Sequence, residues 1–271
     1  MRVFHKRGVA LLLAAAMCVL LAACAGNEPK SAAELYDRFM KTEQDNYSVV
    51  GDVNMSMEAP EGEAFGVTSM TYAIGVAGDV TKEASHIDLD VDLDFGGFAL
   101  SMKGDAYVDG AAHAAYLKMD SPLLGEAGDW TKYETESIMA DDAMSKLRGA
   151  FEKASLEKSG DNYLVTMTVG DAIDASGLGE EEGENLAEDF GQDMEVLRAS
   201  KLVYTFDKDF HLIRVEMPEI TYESDGVTTK ATFAFDMSNH GKVGAIVIPE
   251  DALSAEAADD VDGIGDVIDI Q

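Results

Sequence analysis

Side chains that could bind a metal ion are abundant, but their spacing matches no metal-ligand pattern. The carboxylates from Asp88 to Asp94 alternate along one predicted strand face, about 7 Å apart, too far for one cation to bind all four. Asp260, Asp262 and Gly263 resemble part of a calcium loop, but Ala258 occupies its first ligand position. No two histidines have zinc-ligand spacing; they are His5, His86, His113, His211 and His240. We therefore predict no metal site and no cofactor.

The sequence also contains no known motif that would position a catalytic nucleophile. The sequence has no G-x-S-x-G motif, no P-loop and no dinucleotide fingerprint. Of the two cysteines, Cys18 lies in the apolar N-terminal run and Cys24 directly follows it. We predict no catalytic residue and no enzymatic activity, and an unrecognised hydrolase is the least favoured of three alternatives.

Cys24 is the residue whose surroundings indicate a specific chemistry. Three basic residues within the first seven precede the apolar residues 9–21, and the small residues Ala22 and Ala23 follow. This order is typical of a cleaved secretory signal, which we predict over residues 1–23. Cys24 resembles the acylated cysteine of the bacterial lipoprotein lipobox, which receives a diacylglycerol and becomes the new N-terminus. An ordinary signal with an incidental cysteine is the alternative.

Acylation at Cys24 predicts an extracytoplasmic protein anchored to the cell membrane. One acyl chain binds a bilayer only marginally, whereas two chains hold it durably, at about 0.8 kcal/mol per buried CH₂. Residues 24–30 would form the lipidated tether. Because Cys18 is lost with the signal, no disulfide can form, and the core must stabilise the domain unaided.

The charge balance excludes one class of partner. The chain has 20 basic and 52 acidic residues, a formal net charge of −32, and loss of the signal removes three of the basic residues. So acidic a chain does not bind nucleic-acid phosphates, and an anionic lipid surface repels it. Because the acidic residues are spread along the chain, a generally acidic proteome explains the charge better than one dedicated site.

Helical patterns occur in three places before the C-terminal strands. Ser31 and Glu34 form a capping box, so a helix is expected to follow with Leu35 and Phe39 on its apolar face. Residues 135–153 and 184–198 show amphipathic periodicity, whereas residues 171–183 are predicted to be irregular. The acidic residues 251–271, which contain no Lys or Arg, are predicted to be a flexible tail.

Alternating apolar residues predict long antiparallel strands between and after the helices. Gly96-Gly97 and Asp109-Gly110 each predict a two-residue hairpin, with one apolar face shared by the three strands. The expected cross-strand rows are Leu93, Leu100 and Met119, then Val91, Met102 and Leu117. Pro218 interrupts a C-terminal strand, where the apolar parity changes, so a bulge or edge is expected there.

The order of elements resembles the LolA-like and LppX/LprG-like lipoproteins from about Ser31 to Glu250. The segments that carry this resemblance are Tyr204-Thr205-Phe206-Asp207-Lys208-Asp209-Phe210-His211-Leu212 and Ile246-Val247-Ile248-Pro249. The resemblance implies an α+β fold in residues 31–250: a curved, mostly antiparallel β-sheet, an unclosed barrel, wrapped around a few α-helices. In that superfamily, the gap between sheet and helices can hold the acyl chains of a lipid or lipoprotein.

Methionine and aromatic residues dominate the predicted inner face, and they suit either a lipid site or a packed core. We predict a hydrophobic ligand-binding face made of Met55, Met57, Met70, Tyr72, Leu93, Leu100, Met102, Phe233, Phe235 and Met237. The favoured function is a membrane-anchored lipoprotein that binds or carries a lipid or acyl chain. The alternative is a structural or interaction lipoprotein of the cell envelope, with a packed core, a protein partner and no ligand.

Overall fold

One antiparallel β-sheet of eleven strands contains most of the described chain. The computed structural model describes residues 28–42, 46–58, 69–120, 128–134, 146–176, 194–224 and 227–257. The predicted signal, Cys24 and most of the predicted tail lie outside these residues. The strands are β1 (Asn46–Glu58), β2 (Ser69–Thr81), β3 (Ala84–Asp94), β4 (Ala99–Asp109), β5 (Ala114–Asp120), β6 (Thr131–Glu134), β7 (Ser155–Ser159), β8 (Asn162–Thr168), β9 (Lys201–Phe206), β10 (Leu212–Ser224) and β11 (Val227–Ser238).

The described helices are short. They are α1 (Ala32–Phe39), α2 (Arg148–Lys153), α3 (Val169–Ser176), α4 (Met194–Ala199) and α5 (Glu250–Leu253). None of the helices in the described ranges is long and apolar enough to cross a bilayer. Of the helices predicted over residues 135–153 and 184–198, the structure describes the C-terminal ends, as α2 and α4. Their N-terminal parts lie outside the described residues.

The strand order is β6-β5-β4-β3-β2-β1-β11-β10-β9-β8-β7. Neighbours in the sheet are neighbours in the chain except where β1 pairs with β11, which joins the two halves. The end strands β6 and β7 do not pair with each other in the described chain, so the curved sheet stays unclosed. This confirms the predicted α+β fold with a large, curved antiparallel sheet.

The hairpin at Gly96-Gly97 forms in the predicted register. Leu93 lies opposite Leu100 and Val91 opposite Met102, while the Phe95 amide donates to the Phe98 carbonyl at 2.9 Å. Leu100 is only 9% exposed, whereas the neighbouring Lys103 is exposed on the other face. The predicted orientation of this hairpin is therefore confirmed.

The second predicted hairpin register is wrong by four residues. Asp109 pairs with Ala114, so the connection is a four-residue loop, and Leu117 and Met119 face Ala106 and Gly104. The Asp109 carboxylate accepts hydrogen bonds from two amides inside the loop, at 3.0 Å each, which stabilises the longer turn. Because the shift is an even number of residues, the apolar side chains remain on the predicted face.

The first helix begins as the capping box predicts. The Glu34 amide donates to the Ser31 hydroxyl at 3.2 Å, and the Glu34 carboxylate accepts from the Lys30 amide at 2.9 Å. By contrast, residues 171–176, predicted to be irregular, belong to α3. Thr168 and Asp171 form a second box here, because the Asp171 amide donates to the Thr168 hydroxyl at 3.0 Å.

In the C-terminal part, the irregularity predicted at Pro218 is confirmed, and the folded domain extends further along the chain than predicted. The β10–β11 register shifts between Met217 and Ile220, as the change of parity predicts. Residues 245–248 are not a strand. The folded chain continues beyond residue 250, where the flexible tail was expected, because Ala252 of α5 is fully buried.

The best-packed core lies at the β8–β9 end of the sheet. Leu35, Phe151, Val165 and Phe206 are essentially inaccessible, since α1 and α2 pack there against β8 and β9. A second cluster joins α3 and α4 to β10, and its outermost member is Phe233 on β11. A third, on the opposite face of the sheet, packs Ala252 against Ala114 and Tyr116.

Candidate functional site

The strand registers assemble one continuous apolar face across β11, β1, β2, β3 and β4. Four successive rows of paired residues cross these five strands. Each row has one residue per strand, and the side chains of all four rows lie on the same side of the sheet. The rows are Ala231, Met55, Tyr72, Leu93 and Leu100; Phe233, Val53, Ile74, Val91 and Met102; Phe235, Gly51, Val76, Leu89 and Gly104; and Met237, Val49, Gly78, Ile87 and Ala106. We call these twenty positions the apolar face.

The structure brings the predicted ligand-binding residues onto the same side of the sheet. Eight of them belong to the apolar face, and Met57 and Met70 form the adjoining row, where they pair directly. Phe233 and Phe235 contact each other with ring centroids 5.9 Å apart. The predicted ligand-binding set did not include Val53, Ile74 and Val91 in the middle of the site, although these residues follow the same two-residue alternation as their neighbours.

Most of the apolar face is less well covered than the packed end of the sheet. Its side chains on β1, β2 and β3 are all partly exposed, whereas Val165 and Phe206 at the β8–β9 end are fully buried. Among the described residues, the clusters formed by α1 to α4 extend no further across the sheet than Phe233. Within the described chain, the apolar face therefore begins at Phe233, where the helical cover ends.

The chemistry of the apolar face is uniform. The Tyr72 hydroxyl is the only polar side-chain group among its twenty positions, and it donates to the Met70 sulfur at 3.0 Å. Methionine side chains are flexible and polarizable, so the part of the face around Met55 and Met102 can adapt to differently shaped apolar groups. Such a surface offers an apolar group burial and van der Waals contact.

Three glycines on the apolar face let neighbouring strands approach closely. A Cβ at Gly51 would lie 2.2 Å from the Ala234 carbonyl oxygen, and one at Gly78 would lie 2.4 Å from the His86 carbonyl oxygen. At Gly104, the Met119 sulfur would be 2.6 Å away. Glycine inside a strand often marks such close contacts, and at Gly51 and Gly78 the atoms that a side chain would meet belong to the backbone of the neighbouring strand.

The opposite face of the same strands is polar and acidic. Lys103 contacts Asp90 at 3.0 Å, and this hydrogen bond raises the pKa of the lysine. On β10, Arg214 contacts Asp236 at 2.8 Å and Glu216 at 2.6 Å, and these bonds raise its pKa. Of two grooves in the described chain, one lies at the tip of the β3–β4 hairpin. The other lies on this polar face beside Arg214 and also reaches Phe233.

Two titratable groups whose pKa values are shifted by burial lie towards the ends of the apolar face rather than at its centre. Burial raises the pKa of Tyr204 to about 12, because this residue lies in the packed core at β8–β9. Burial also lowers the pKa of His240, whose ring stacks on His211 with centroids 4.8 Å apart. Neither group faces the middle of the apolar face, so neither could serve as its catalytic acid or base.

Comparisons with known proteins give a family and a similar solved structure. No curated protein matches the chain. A solved structure described as a beta-barrel-like protein of domain of unknown function DUF1849 from Brucella abortus is similar, with 6% sequence identity and a TM-score of 0.27. That match covers 70% of this chain and 98% of the other. A family model described as a family of unknown function, DUF6612, matches residues 31–257. Because this match covers most of the sequence, the chain belongs to the DUF6612 family.

Proposed function

We propose that this protein is an extracytoplasmic lipoprotein, anchored through Cys24, whose apolar face binds an acyl chain of a lipid. The observation that carries the proposal is the twenty-position apolar face, which is partly exposed and nearly free of polar groups. The resemblance to LolA-like and LppX/LprG-like lipoproteins supports the same function, since those folds hold acyl chains next to a curved sheet.

The size of the apolar face fits a chain-like ligand. Five strands at about 4.8 Å spacing give a width of about 19 Å, and four rows extend about 20 Å along the strands. A projected patch of about 400 Å² is comparable to the largest apolar patch on a typical soluble monomer, which is often functional. An extended acyl chain would lie along part of this face, and it requires none of the hydrogen bonds that the face, apart from the Tyr72 hydroxyl, cannot supply.

Lipid analysis tests the proposal directly. The purified protein is extracted with organic solvent, and the extract is analysed by mass spectrometry for lipids that are not covalently attached. The expected result is one class of co-purified lipid, together with saturable binding of a fluorescent fatty acid by delipidated protein. If neither is found, the envelope interaction protein with a packed core becomes the better description.

The anchor has its own test. Cys24→Ser removes the sulfur that accepts the diacylglycerol, so the protein should move from the membrane fraction to the medium or periplasm. Fractionation followed by immunoblotting measures this change, and Ala25→Ser is the control that should remain with the membrane. Unchanged membrane association of Cys24→Ser would refute the anchor without deciding whether the apolar face binds lipid.

A further inference from the structure

His86, Asp88 and Asp105 converge on the polar face of the sheet, on the side away from the apolar face. His86 and Asp88 lie two residues apart on β3, and Asp105 lies on β4 directly opposite Asp88. The His86 Nε2 atom is 2.8 Å from an Asp105 carboxylate oxygen and 3.8 Å from an Asp88 oxygen. One ligand atom from each of the three residues lies within 4.8 Å of the others.

The charges around this cluster are arranged differently from those of the next row. Asp90 faces Lys103 across the two strands at 3.0 Å, whereas Asp88 faces a second carboxylate, Asp105. Like charges in directly opposite positions destabilise a strand pair. Lys118 lies beside Asp105 on β5, but no ion pair between them forms in the described part of the chain. A bound cation would remove this repulsion.

The imidazole ring is held in place by packing. His86 stacks on Tyr107, with centroids 4.3 Å apart and an angle of 11° between the planes. Tyr107 in turn contacts Trp130 at 5.7 Å and packs against the cluster around Tyr116 and Ala252. A ligand fixed in this way loses little conformational freedom on binding a metal. The His86 side chain is still 31% exposed, so an ion can reach it from solvent.

We propose that His86, Asp88 and Asp105 bind a divalent transition-metal ion, for which Zn²⁺ is the representative. One imidazole nitrogen and two carboxylate oxygens form a ligand set that suits zinc, whereas calcium prefers oxygen ligands alone. The metal takes the place of the proton between Nε2 and Asp105, and water completes its coordination. The ion would join β3 to β4, and the net charge of −32 would concentrate cations near it.

Isothermal titration of the purified full chain with ZnCl₂ tests the site, with CaCl₂ as the competing hard cation. The expected result is one saturable Zn²⁺ site per chain that binds at least tenfold more tightly than Ca²⁺. His86→Gln should weaken Zn²⁺ binding at least tenfold. Asp92→Asn, which removes a carboxylate from the same strand face, should change it less than twofold.

Two further measurements make the outcome decisive. His211→Gln should leave the affinity unchanged, because His211 and His240 lie at a different part of the sheet. Circular dichroism of metal-free His86→Gln checks that the sheet is intact, and Zn²⁺ should raise the melting temperature of the wild type but not of this variant. Equal Zn²⁺ affinity in wild type and His86→Gln, or no saturable Zn²⁺ binding at all, would overturn the proposal.

Discussion

Two adjacent residues of β4 show how sharply the two faces of the sheet differ. Met102 belongs to the apolar face, while Ser101 points to the polar face, where its hydroxyl donates to Asp92. The same substitution at these neighbouring positions therefore probes two environments within one strand. This pair separates an effect on the ligand from an effect on β4 itself.

Met102→Lys should abolish binding of a fluorescent fatty acid, because an ammonium group on the apolar face cannot be desolvated beside an acyl chain. Ser101→Lys should leave binding unchanged, since its side chain is exposed next to several carboxylates. Fluorescence titration of both delipidated variants measures the difference. Met102→Trp should also block binding while the melting temperature stays near the wild-type value. Equal binding by Met102→Lys and the wild type would place the ligand elsewhere.

At the scale of the element, the close approach of two strands depends on glycine, which has no side chain. Gly51 of β1 lies against the backbone of β11, whereas Gly75 of β2 has only ordinary contacts, with Asp90 Cβ at 3.6 Å from an added methyl group. The two glycines occupy neighbouring central strands but face opposite sides of the sheet. They provide a matched pair for testing the close approach of β1 and β11.

Gly51→Ala should destabilise the protein by about 1–3 kcal/mol, because the new methyl group meets backbone atoms that cannot move independently. Gly75→Ala should be close to neutral, since its methyl group has room and alanine restricts the unfolded chain more than glycine does. Urea denaturation followed by circular dichroism measures both free energies of unfolding. Equal stabilities would show that β1 and β11 can separate without cost.

The helix α3 depends on the side chain that begins it. Thr168→Ala removes the hydroxyl that accepts from the Asp171 amide, and it should cost about 1 kcal/mol. Thr168→Ser keeps the hydroxyl and should retain most of the stability. Urea denaturation of the two variants tests this expectation. A loss in Thr168→Ser as large as that in Thr168→Ala would assign the effect to packing of the methyl group instead of the cap.

At the scale of the whole molecule, His240 connects parts that are distant in the chain. It follows β11, stacks on His211 before β10, and lies 6.1 Å from the Tyr47 ring on β1. Burial and the neighbouring His211 lower its pKa, while Asp207 and the backbone of Leu212 oppose this effect. In the described chain, neither ring nitrogen of His240 has a hydrogen-bond partner of good geometry. Folding therefore favours the neutral ring.

This preference predicts an acid-sensitive fold. Because the folded pKa of His240 lies below the unfolded value of about 6.5, its contribution to stability is complete above that value. The contribution is lost as the pH falls from about 6.5 towards the folded pKa. His240→Phe should reduce the loss of melting temperature over this range, and His113→Asn, in an exposed loop, should not. An unchanged pH dependence in His240→Phe would assign the sensitivity to other groups.

Local rules in the sequence determined which side of each strand is apolar and where several elements begin. The two-residue alternation from Ile87 to Phe95 fixed the apolar face, and Gly96-Gly97 fixed the register of one hairpin, because both depend on neighbours in the chain. Ser31 and Glu34 similarly defined the start of α1. The equivalent pair, Thr168 and Asp171, begins α3, so the same local rule extends to a segment that we predicted to be irregular.

Tertiary structure decided what depends on residues far apart in the chain. The pairing of Met55 with Ala231, across β1 and β11, joins the two halves of the sheet and follows from no local pattern. The four-residue loop after Asp109 depends on which backbone amides the carboxylate could bind, so turn composition alone gave the wrong register. His86 and Asp105 were unremarkable in sequence because spacing along one strand does not reveal a partner on the next. Periodicity determines the face of a residue, and only strand pairing determines its neighbours.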